Sequence, residues 1–234
     1  MEMDATKPVT YPVNLCLDKM PVLVVGGGRV ALRKVKGLLR AGAIVTVVAP
    51  EVDAELVEMA RTGLIELFRR KYETGEATAY RLVISATDDE RVDWQVSYDA
   101  ALGNVFVNVA DVPERCTFYL PAVIRRGKLQ ISINSDGAAP FASRRLRQRL
   151  EEMIGREFTD WMEAAGAFRQ AVLAGVADRG RREELFDRFF AETWPSFGPI
   201  LPPRAPAESV WHGWIAEVTE GASSREEEGS HGST

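Results

Sequence analysis

A glycine turn between an apolar run and a helical pattern is the feature that most constrains how this chain can fold. Residues 21–25 read PVLVV, which is typical of a buried strand, and Gly26, Gly27 and Gly28 follow directly. From residue 30 to residue 40 the apolar side chains recur at helical spacing. A strand, a tight glycine turn and a helix in this order are typical of a domain that binds a dinucleotide.

Individual positions of the turn have distinct tasks in such a domain. Gly26 permits the tight turn, Gly28 lets the backbone approach a pyrophosphate, and Ala31 is small enough for close packing of helix and strand. The amides of Arg29 and Val30 would then point at the phosphates from the helix N-terminus. The pattern therefore predicts a pyrophosphate site, although a tight turn without a ligand would look the same.

Strand-like and helix-like segments alternate through the first half of the chain. Further strands are predicted at 12–17, 44–48, 64–68, 82–86 and 105–109, and helices at 30–40, 51–62 and from about 90 to 102. Such alternation implies a parallel sheet with helical crossovers. After Asp111 the pattern changes to a hairpin, with strands at 118–125 and 128–134, and then to a mostly helical chain from 141 to about 191.

The predicted fold class is therefore α/β, with a Rossmann-type parallel sheet followed by a small β-hairpin region and a C-terminal helical region. We divide the chain into a Rossmann domain (1–113), a hairpin region (114–150), a helical domain (151–218) and a tail of disordered composition (219–234). The proline-rich segment 195–206 is expected to end any helix, and Trp211 and Trp214 to hold a last short element.

The composition is that of an ordinary globular chain. Of its 234 residues 46% are apolar and 27% are charged, so a sizeable core is expected. The net charge of −5 is concentrated in the glutamate-rich tail, and the near-neutral remainder argues against a nucleic-acid partner. Cys16 and Cys116 lie far apart, and the cysteines and histidines indicate neither a disulfide framework nor a metal site.

The sequence also lacks the patterns that direct a protein into a membrane. Residues 1–10 have neither the basic nor the apolar segment of a signal peptide. The longest apolar runs, such as 44–50, are strand-sized, whereas a membrane helix needs about 20 residues. We therefore expect a cytoplasmic protein without a membrane partner.

The end of the second predicted strand bears on the choice of cofactor. An acidic residue there often binds the ribose hydroxyls of NAD. Here the strand is followed by Ala49, Pro50 and Glu51, so Glu51 either reaches the ribose or begins the next helix. Because no arginine or lysine stands at this strand end to bind a 2′-phosphate, the sequence favours NAD over NADP.

Two later strand ends supply further candidates, since ligands bind at the carboxyl ends of parallel strands. Thr87 is a candidate wall of the cofactor site, and Asp88 and Asp89 either line it or cap the following helix. Asp111 follows the fifth strand, where it is either a general base or a turn residue.

An arginine-rich helix follows Pro140. It contains Arg144, Arg145, Arg147 and Arg149, which helical spacing spreads over more than one face. These arginines form either a solvated surface or a docking site for a substrate with several carboxylates.

These motifs, in this order, resemble the precorrin-2 dehydrogenase/sirohydrochlorin ferrochelatase family, which includes the N-terminal module of siroheme synthase. The matching segments are 11–15 (YPVNL), 24–34 (VVGGGRVALRK), 86–89 (ATDD), 108–111 (NVAD), 118–122 (FYLPA) and 133–140 (INSDGAAP). The resemblance covers roughly residues 9–155. The region after about 155 matches the family poorly, and no methyltransferase domain is expected.

The resemblance implies oxidation of precorrin-2 to sirohydrochlorin with NAD⁺ as the hydride acceptor, and some members also insert Fe²⁺ to give siroheme. The family's catalytic aspartate corresponds to Asp111, and a serine that carries phosphate in the trifunctional relative corresponds to Ser135. The resemblance further implies a homodimer formed through the 114–150 region. Ser135, Arg144 and Arg145 become candidates for contacts with the carboxylate-rich substrate.

Two other functions explain part of the sequence. A nucleotide-sensing regulatory module without catalysis would share the glycine turn and the Thr87 strand end, but it does not explain the hairpin, Asp111 and the arginine helix. A dehydrogenase for a small hydroxy or amino acid would usually need a catalytic histidine or lysine in its second domain. The first histidine of this chain is His212.

Overall fold

The computed structural model describes residues 10–194 and 207–229, with side chains as far as residue 220. The proline-rich segment 195–206 and the residues after 229 lie outside the described part. The chain divides into two compact units, one formed by 1–120 with 136–138 and the other by 121–135 with 139–234. Each unit has a hydrophobic core of its own.

The first unit is a parallel sheet of five strands with helices on both faces. The strands are β1 (Pro21–Val25), β2 (Ile44–Val48), β3 (Glu66–Phe68), β4 (Leu82–Ser85) and β5 (Phe106–Val109), in the order β3-β2-β1-β4-β5. The helices are α1 (Arg29–Arg40), α2 (Ala54–Arg61) and α3 (Glu90–Leu102). Every strand pair is parallel, which confirms the predicted Rossmann-type sheet.

The apolar runs of the central strands are explained by burial on both faces. Val22 and Val24 pack with α1 and α2, whereas Leu23 and Val25 pack with α3 on the opposite face. Alternate residues of β1 therefore enter two different core layers, which explains why this strand is apolar throughout. The crossovers place the start of each helix at the carboxyl edge of the sheet.

Some predicted boundaries differ from the structure. Residues 12–17 form no strand, and Tyr11 and Val13 beside Pro12 are exposed, because proline cannot donate to a ladder. β3 begins at Glu66 rather than 64, since the Leu64 amide donates to Met59 O (2.9 Å) and remains part of the α2 terminus. The helix predicted from residue 51 begins at Ala54.

The second unit contains a hairpin and four helices. Its elements are β6 (Ala122–Arg126), β7 (Leu129–Ile133), α4 (Pro140–Met153), α5 (Glu157–Gly175), α6 (Arg179–Thr193) and α7 (Glu208–Gly229). β6 and β7 are antiparallel, as predicted, and Gly127 adopts φ +56° at their turn. The predicted change from alternating strands and helices to a hairpin and helices is confirmed.

Aromatic side chains fill the core of the helical part. Phe168 is fully buried and stacks on Phe189 at 4.9 Å between ring centroids, and the edges of Trp211 and Trp214 pack against it. The two tryptophans lie on a helix of 22 residues rather than on a short element. That helix continues to Gly229, into the segment whose composition predicted disorder.

The arginine-rich helix α4 is the least covered element of the second unit. It has no buried residue, and Phe141 and Leu146 on it are exposed. Its C-terminal end is held by Arg126 of the hairpin, whose guanidinium donates to Ile154 O at 2.7 Å and to Glu151 O at 3.0 Å. A cation at these carbonyls compensates the negative end of the helix dipole.

No helix in the described part of the chain is long and apolar enough to cross a membrane.

Candidate functional site

The carboxyl edge of the parallel sheet carries the first group of candidate residues. The ladder extends one step beyond the strands there, because Gly26 N donates to Val48 O (2.9 Å), Ala86 N to Val25 O (2.7 Å) and Ala110 N to Ser85 O (2.9 Å). The loops after β1, β4 and β5 are therefore tied to their neighbours. This fixes the positions of the residues that follow.

The first two glycines of the turn are required by close backbone approaches. Gly26 has φ +116°, and a Cβ built on it would lie 2.1 Å from the carbonyl oxygen of Ala86. A Cβ on Gly27 would lie 2.1 Å from Glu51 O, and the Gly27 carbonyl accepts from Asp53 N at 2.8 Å. No side chain fits at either position, so the turn is locked between the loops after β4 and β2.

Gly28 differs from both neighbours, because a Cβ built on it meets no atom within 4 Å. It is the N-cap of α1, no side chain caps this helix end, and its first turn contains no acidic residue. The first amides of a helix have no partner within the helix. Gly28, Arg29 and Val30 thus present an uncapped N-terminus at an open position, while Ala31 behind them is completely buried. These residues fit a pyrophosphate.

The structure of the loop after β2 bears on the two roles that the sequence left open for Glu51, contact with a ribose or the start of the next helix. The cap of α2 is Asp53, whose side chain accepts from Glu55 N at 2.9 Å. Glu51 lies before the helix and is exposed, and its carbonyl packs on Gly27. The interpretation of Glu51 as the start of α2 is therefore wrong, whereas its contact with a ribose stays a prediction. Pro50 is exposed in the same loop.

The loop after β4 lies beside the glycine turn. A Cβ atom built on Gly26 would lie 3.2 Å from the amide nitrogen of Thr87. The Thr87 hydroxyl oxygen Oγ1 accepts a hydrogen bond from Asp89 N at 3.2 Å. Asp89 caps α3 by accepting from Arg91 N at 3.0 Å, which confirms the capping interpretation for this residue. Thr87 is half-buried at this edge, and its role as a cofactor wall stays a prediction.

The loop after β5 presents an exposed carboxylate. Asp111 has φ +62°, a left-handed conformation that only a few residue types adopt readily, and its side chain is exposed. The turn is closed by a hydrogen bond from Val112 N to Val109 O at 3.3 Å. Asp111 therefore sits in a turn and also presents its carboxylate at the carboxyl edge. Both interpretations of this residue are compatible with its geometry.

The segment after this turn is fixed to β5 by two polar side chains. Asn108 is buried, and its amide donates to Phe118 O at 3.0 Å. Thr117 Oγ1 accepts from Val107 N at 2.8 Å. Cys116 lies between them, and burial raises the pKa of its thiol. These residues position the Asp111 turn, and the Asn108 side chain has this structural task.

Asp93 in α3 is a buried carboxyl group that was not predicted from the sequence. Asp93 is 6% exposed and accepts a hydrogen bond of 2.5 Å from the fully buried Ser85 Oγ at the end of β4. Burial raises the pKa of Asp93, and the Ser85 hydrogen bond and the Arg115 charge oppose this shift. The helical spacing of Asp93 with Val96 and Ala100 on the core face was the available signal.

The second unit contains the other predicted candidates. Ser135 Oγ accepts a hydrogen bond from Ala139 N at 3.2 Å and so closes the loop before α4. Arg144 and Arg145 are exposed, whereas Arg147 and Arg149 form ion pairs with carboxylates one helical turn away. Arg147 and Arg149 are thus paired within their helix, whereas Arg144 and Arg145 form no ion pair in the described part of the chain. Substrate contact for Ser135, Arg144 and Arg145 stays a prediction.

The described residues include no group of three or more histidine, cysteine, aspartate or glutamate side chains placed to hold a metal ion.

Substitution of the glycines by alanine separates packing from ligand binding. We expect Gly26→Ala to lower the free energy of unfolding by at least about 2 kcal/mol, because it combines a positive φ with a backbone clash. Gly28→Ala should change it by less than about 1 kcal/mol but weaken the binding of a nicotinamide dinucleotide at least about tenfold, since the added methyl occupies the open position. Denaturant unfolding and calorimetric titration with NAD⁺ and NADP⁺ measure the two effects. Unchanged affinity for both dinucleotides in Gly28→Ala would contradict the assignment.

Asp93 predicts a pH-dependent stability. A carboxyl whose pKa is raised by folding stabilises the folded state below its unfolded pKa, near the ordinary value of 3.8, and this contribution is lost as the pH rises through the folded pKa. We therefore expect Asp93→Asn to gain stability relative to the wild type as the pH rises from about 3 to about 8. Unfolding at several pH values tests this, with Asp160→Asn, at an exposed aspartate on α5, as control. A difference that falls with pH would refute it.

Comparison with known proteins gives matches along most of the chain. A family model described as "Putative NAD(P)-binding" matches residues 13–122. Siroheme synthase of Psychrobacter arcticus is 40% identical over 181 residues, which are 77% of this chain and 33% of that protein. Siroheme synthase 3 of Aeromonas hydrophila is 41% identical over 177 residues, which are 76% of this chain and 38% of that protein. The chain thus spans little more than a third of the length of these relatives.

A solved structure described as "SirC, precorrin-2 dehydrogenase" matches at a TM-score of 0.72 and 26% identity, covering 89% of this chain and 100% of the other. The match includes most of the chain and is not confined to the nucleotide-binding unit. Together with the siroheme synthases, which are about 40% identical, it agrees with the family named from the sequence motifs. The chain is thus similar to siroheme synthases and to a precorrin-2 dehydrogenase over most of its own length.

Proposed function

We propose that this protein oxidises precorrin-2 to sirohydrochlorin with NAD⁺. The observation that carries the proposal is that one sheet edge holds both the uncapped helix terminus at Gly28 and the exposed carboxylate of Asp111. Such an edge is where open α/β sheets bind their ligands. The match to a precorrin-2 dehydrogenase over the whole length of that chain supports the same reaction.

The cofactor is bound through the backbone of the first unit. The amides of Gly28, Arg29 and Val30 bind the pyrophosphate, and the half-buried Thr87 lines the site on the β4 side. When bound, the nicotinamide supplies the acceptor for hydride. The family model supports a nicotinamide dinucleotide of either kind. We propose NAD because the loop after β2 offers the exposed Glu51 and contains no cation for a 2′-phosphate.

Asp111 is the proposed catalytic residue. Oxidation of the substrate removes two hydrogens, one as hydride to NAD⁺ and one as a proton, so NADH and one proton are formed. An exposed carboxylate at the edge can accept that proton as a general base. The left-handed backbone at Asp111 is held by the turn and by the residues that fix the following segment to β5. This is the kind of over-determined conformation that functional residues often occupy.

The substrate carries several carboxylates, which need cationic or hydrogen-bonding partners. In the second unit, Arg144 and Arg145 are exposed and are not used in ion pairs with their own helix, unlike Arg147 and Arg149. Arginine binds carboxylates in a bidentate manner. We assign Arg144, Arg145 and Ser135 to substrate contacts on this basis.

Experiment distinguishes the proposed dehydrogenase from a regulatory module that senses NAD without catalysis. It would bind the dinucleotide at the same turn but would form no NADH in the presence of precorrin-2. None of the relatives named above is described as a regulatory module. Fe²⁺ insertion after oxidation and a cytoplasmic location stay predictions, and addition of Fe²⁺ to sirohydrochlorin with the purified protein tests the first.

The role of Asp111 is tested by substitution with asparagine, which tolerates the same left-handed backbone. We expect Asp111→Asn to lower kcat for NADH formation from precorrin-2 by about 10² to 10⁴, because a general base is lost. The affinity for NAD⁺ should stay unchanged. Asp160→Asn, at an exposed aspartate on α5, serves as control. Full activity of Asp111→Asn would remove Asp111 from the catalytic role, and an inactive wild type would refute the proposed oxidation.

We also propose that the protein is a homodimer formed through the hairpin and α4. The absence of buried residues on α4 and the exposure of Phe141 and Leu146 support this surface. Light scattering should give twice the chain mass of 25.9 kDa, and the double variant Phe141→Glu/Leu146→Glu should return it to one chain. Val210→Glu, at an exposed valine on α7, should not. A monomeric wild type would contradict the proposal.

A further inference from the structure

Lys34 is a half-buried cation of the first unit that the proposed function has not yet used. It lies on α1, three residues after Ala31 and four before Leu38, both of which are buried against the sheet. Residues at these spacings share one face of a helix. The stem of Lys34 therefore packs on the side of α1 that faces the sheet rather than on the solvent side.

Helix geometry directs the ammonium group of Lys34 toward the carboxyl edge. Helical side chains lean toward the N-terminus of their helix, and α1 begins at that edge with Arg29. The charges that act on Lys34 agree with this direction, because Asp111 and Cys116 both interact with it electrostatically. Both residues belong to the loop after β5. Lys34 thus lies on the Asp111 side of the site, whereas Glu51 lies after β2 at the opposite side of β1.

Lys34 lacks a direct partner within the described part of the chain. Its ammonium forms none of the ion pairs or hydrogen bonds seen there, whereas Lys36, two residues later, pairs with Glu55 at 2.7 Å. Burial and the neighbouring Arg33 lower the pKa of Lys34, and the Asp111 charge opposes them. A partly buried cation without an ion pair costs stability, and proteins retain such groups mainly where a ligand uses them.

We propose that Lys34 binds a carboxylate of the tetrapyrrole substrate and so holds the macrocycle against Asp111. This inference rests on the proposed oxidation of precorrin-2 and adds a specificity-determining residue to it. The pyrophosphate is not the partner in this assignment, because the amides at Gly28 supply its site and Lys34 reaches the β5 side. A buried cation recognises a carboxylate with a charge-assisted hydrogen bond.

Three variants test the assignment in steady-state assays of NADH formation. We expect Lys34→Met to raise KM for precorrin-2 by about tenfold to a hundredfold, with kcat within about threefold and KM for NAD⁺ unchanged. Lys34→Arg, which keeps the charge, should recover most of the affinity. Lys36→Met on the same helix should leave both KM values as in the wild type, since Lys36 pairs with Glu55.

A thermal unfolding measurement separates ligand binding from a structural role. Because Lys34→Met removes an unpaired cation from a half-buried position, its Tm without ligands should equal or exceed that of the wild type. A lowered Tm, together with equal losses of affinity for both substrates, would identify a structural role and overturn the proposal.

Further results of these assays would also overturn the assignment of Lys34 to substrate binding. An unchanged KM for precorrin-2, a loss confined to kcat, or a loss confined to NAD⁺ affinity in Lys34→Met would each overturn it. If the wild type forms no NADH from precorrin-2, the proposed oxidation fails, and direct titration with sirohydrochlorin then tests Lys34 alone. Binding by the wild type and about tenfold weaker binding by Lys34→Met would support the lysine assignment even so. Equal binding would refute it.

Discussion

The close approach of the Gly26 backbone to the Ala86 carbonyl is the constraint on which the first unit depends. It brings the loops after β1 and β4 together, and the Gly27 contacts bring in the loop after β2. α1 can then begin at the carboxyl edge with its first amides uncapped. Because two of the three glycines are required by packing, only the third is open to a ligand. One short turn thus organises both the sheet edge and the pyrophosphate site.

The same edge also carries groups that cost stability. Asp93 is a carboxyl buried against Ser85, Lys34 is a half-buried cation without an ion pair in the described part of the chain, and Asp111 has a left-handed backbone. None of the three improves the packing of the core. Their concentration around the ends of β4 and β5 agrees with the general observation that local rules are broken where ligands bind. The largely apolar core strands beneath them offset this cost.

The agreement between sequence and structure varies with the kind of signal. β1 and β2 match their predicted bounds because continuous apolar runs between turn-forming residues mark a strand buried on both faces. The segment 12–17 has a similar apolar content, yet it forms no strand, and its residues other than the half-buried Leu17 are exposed. The length of α7 was missed because a tail rich in serine, glycine and glutamate carries no apolar periodicity, although Trp211 and Trp214 anchor its beginning.

The sequence by itself determined the Rossmann-type sheet, the glycine turn at Gly26–Gly28 and the family resemblance, because these depend on local backbone demands and on an ordered set of motifs. The tertiary structure alone decided which residues of each motif are used in packing. Asn108 proved to be a hydrogen-bond donor to Phe118 O, and Asp53 rather than Glu51 caps α2. The pKa shifts of Asp93 and Lys34 also depend on the tertiary structure, since the neighbours that cause them are partly distant in the sequence.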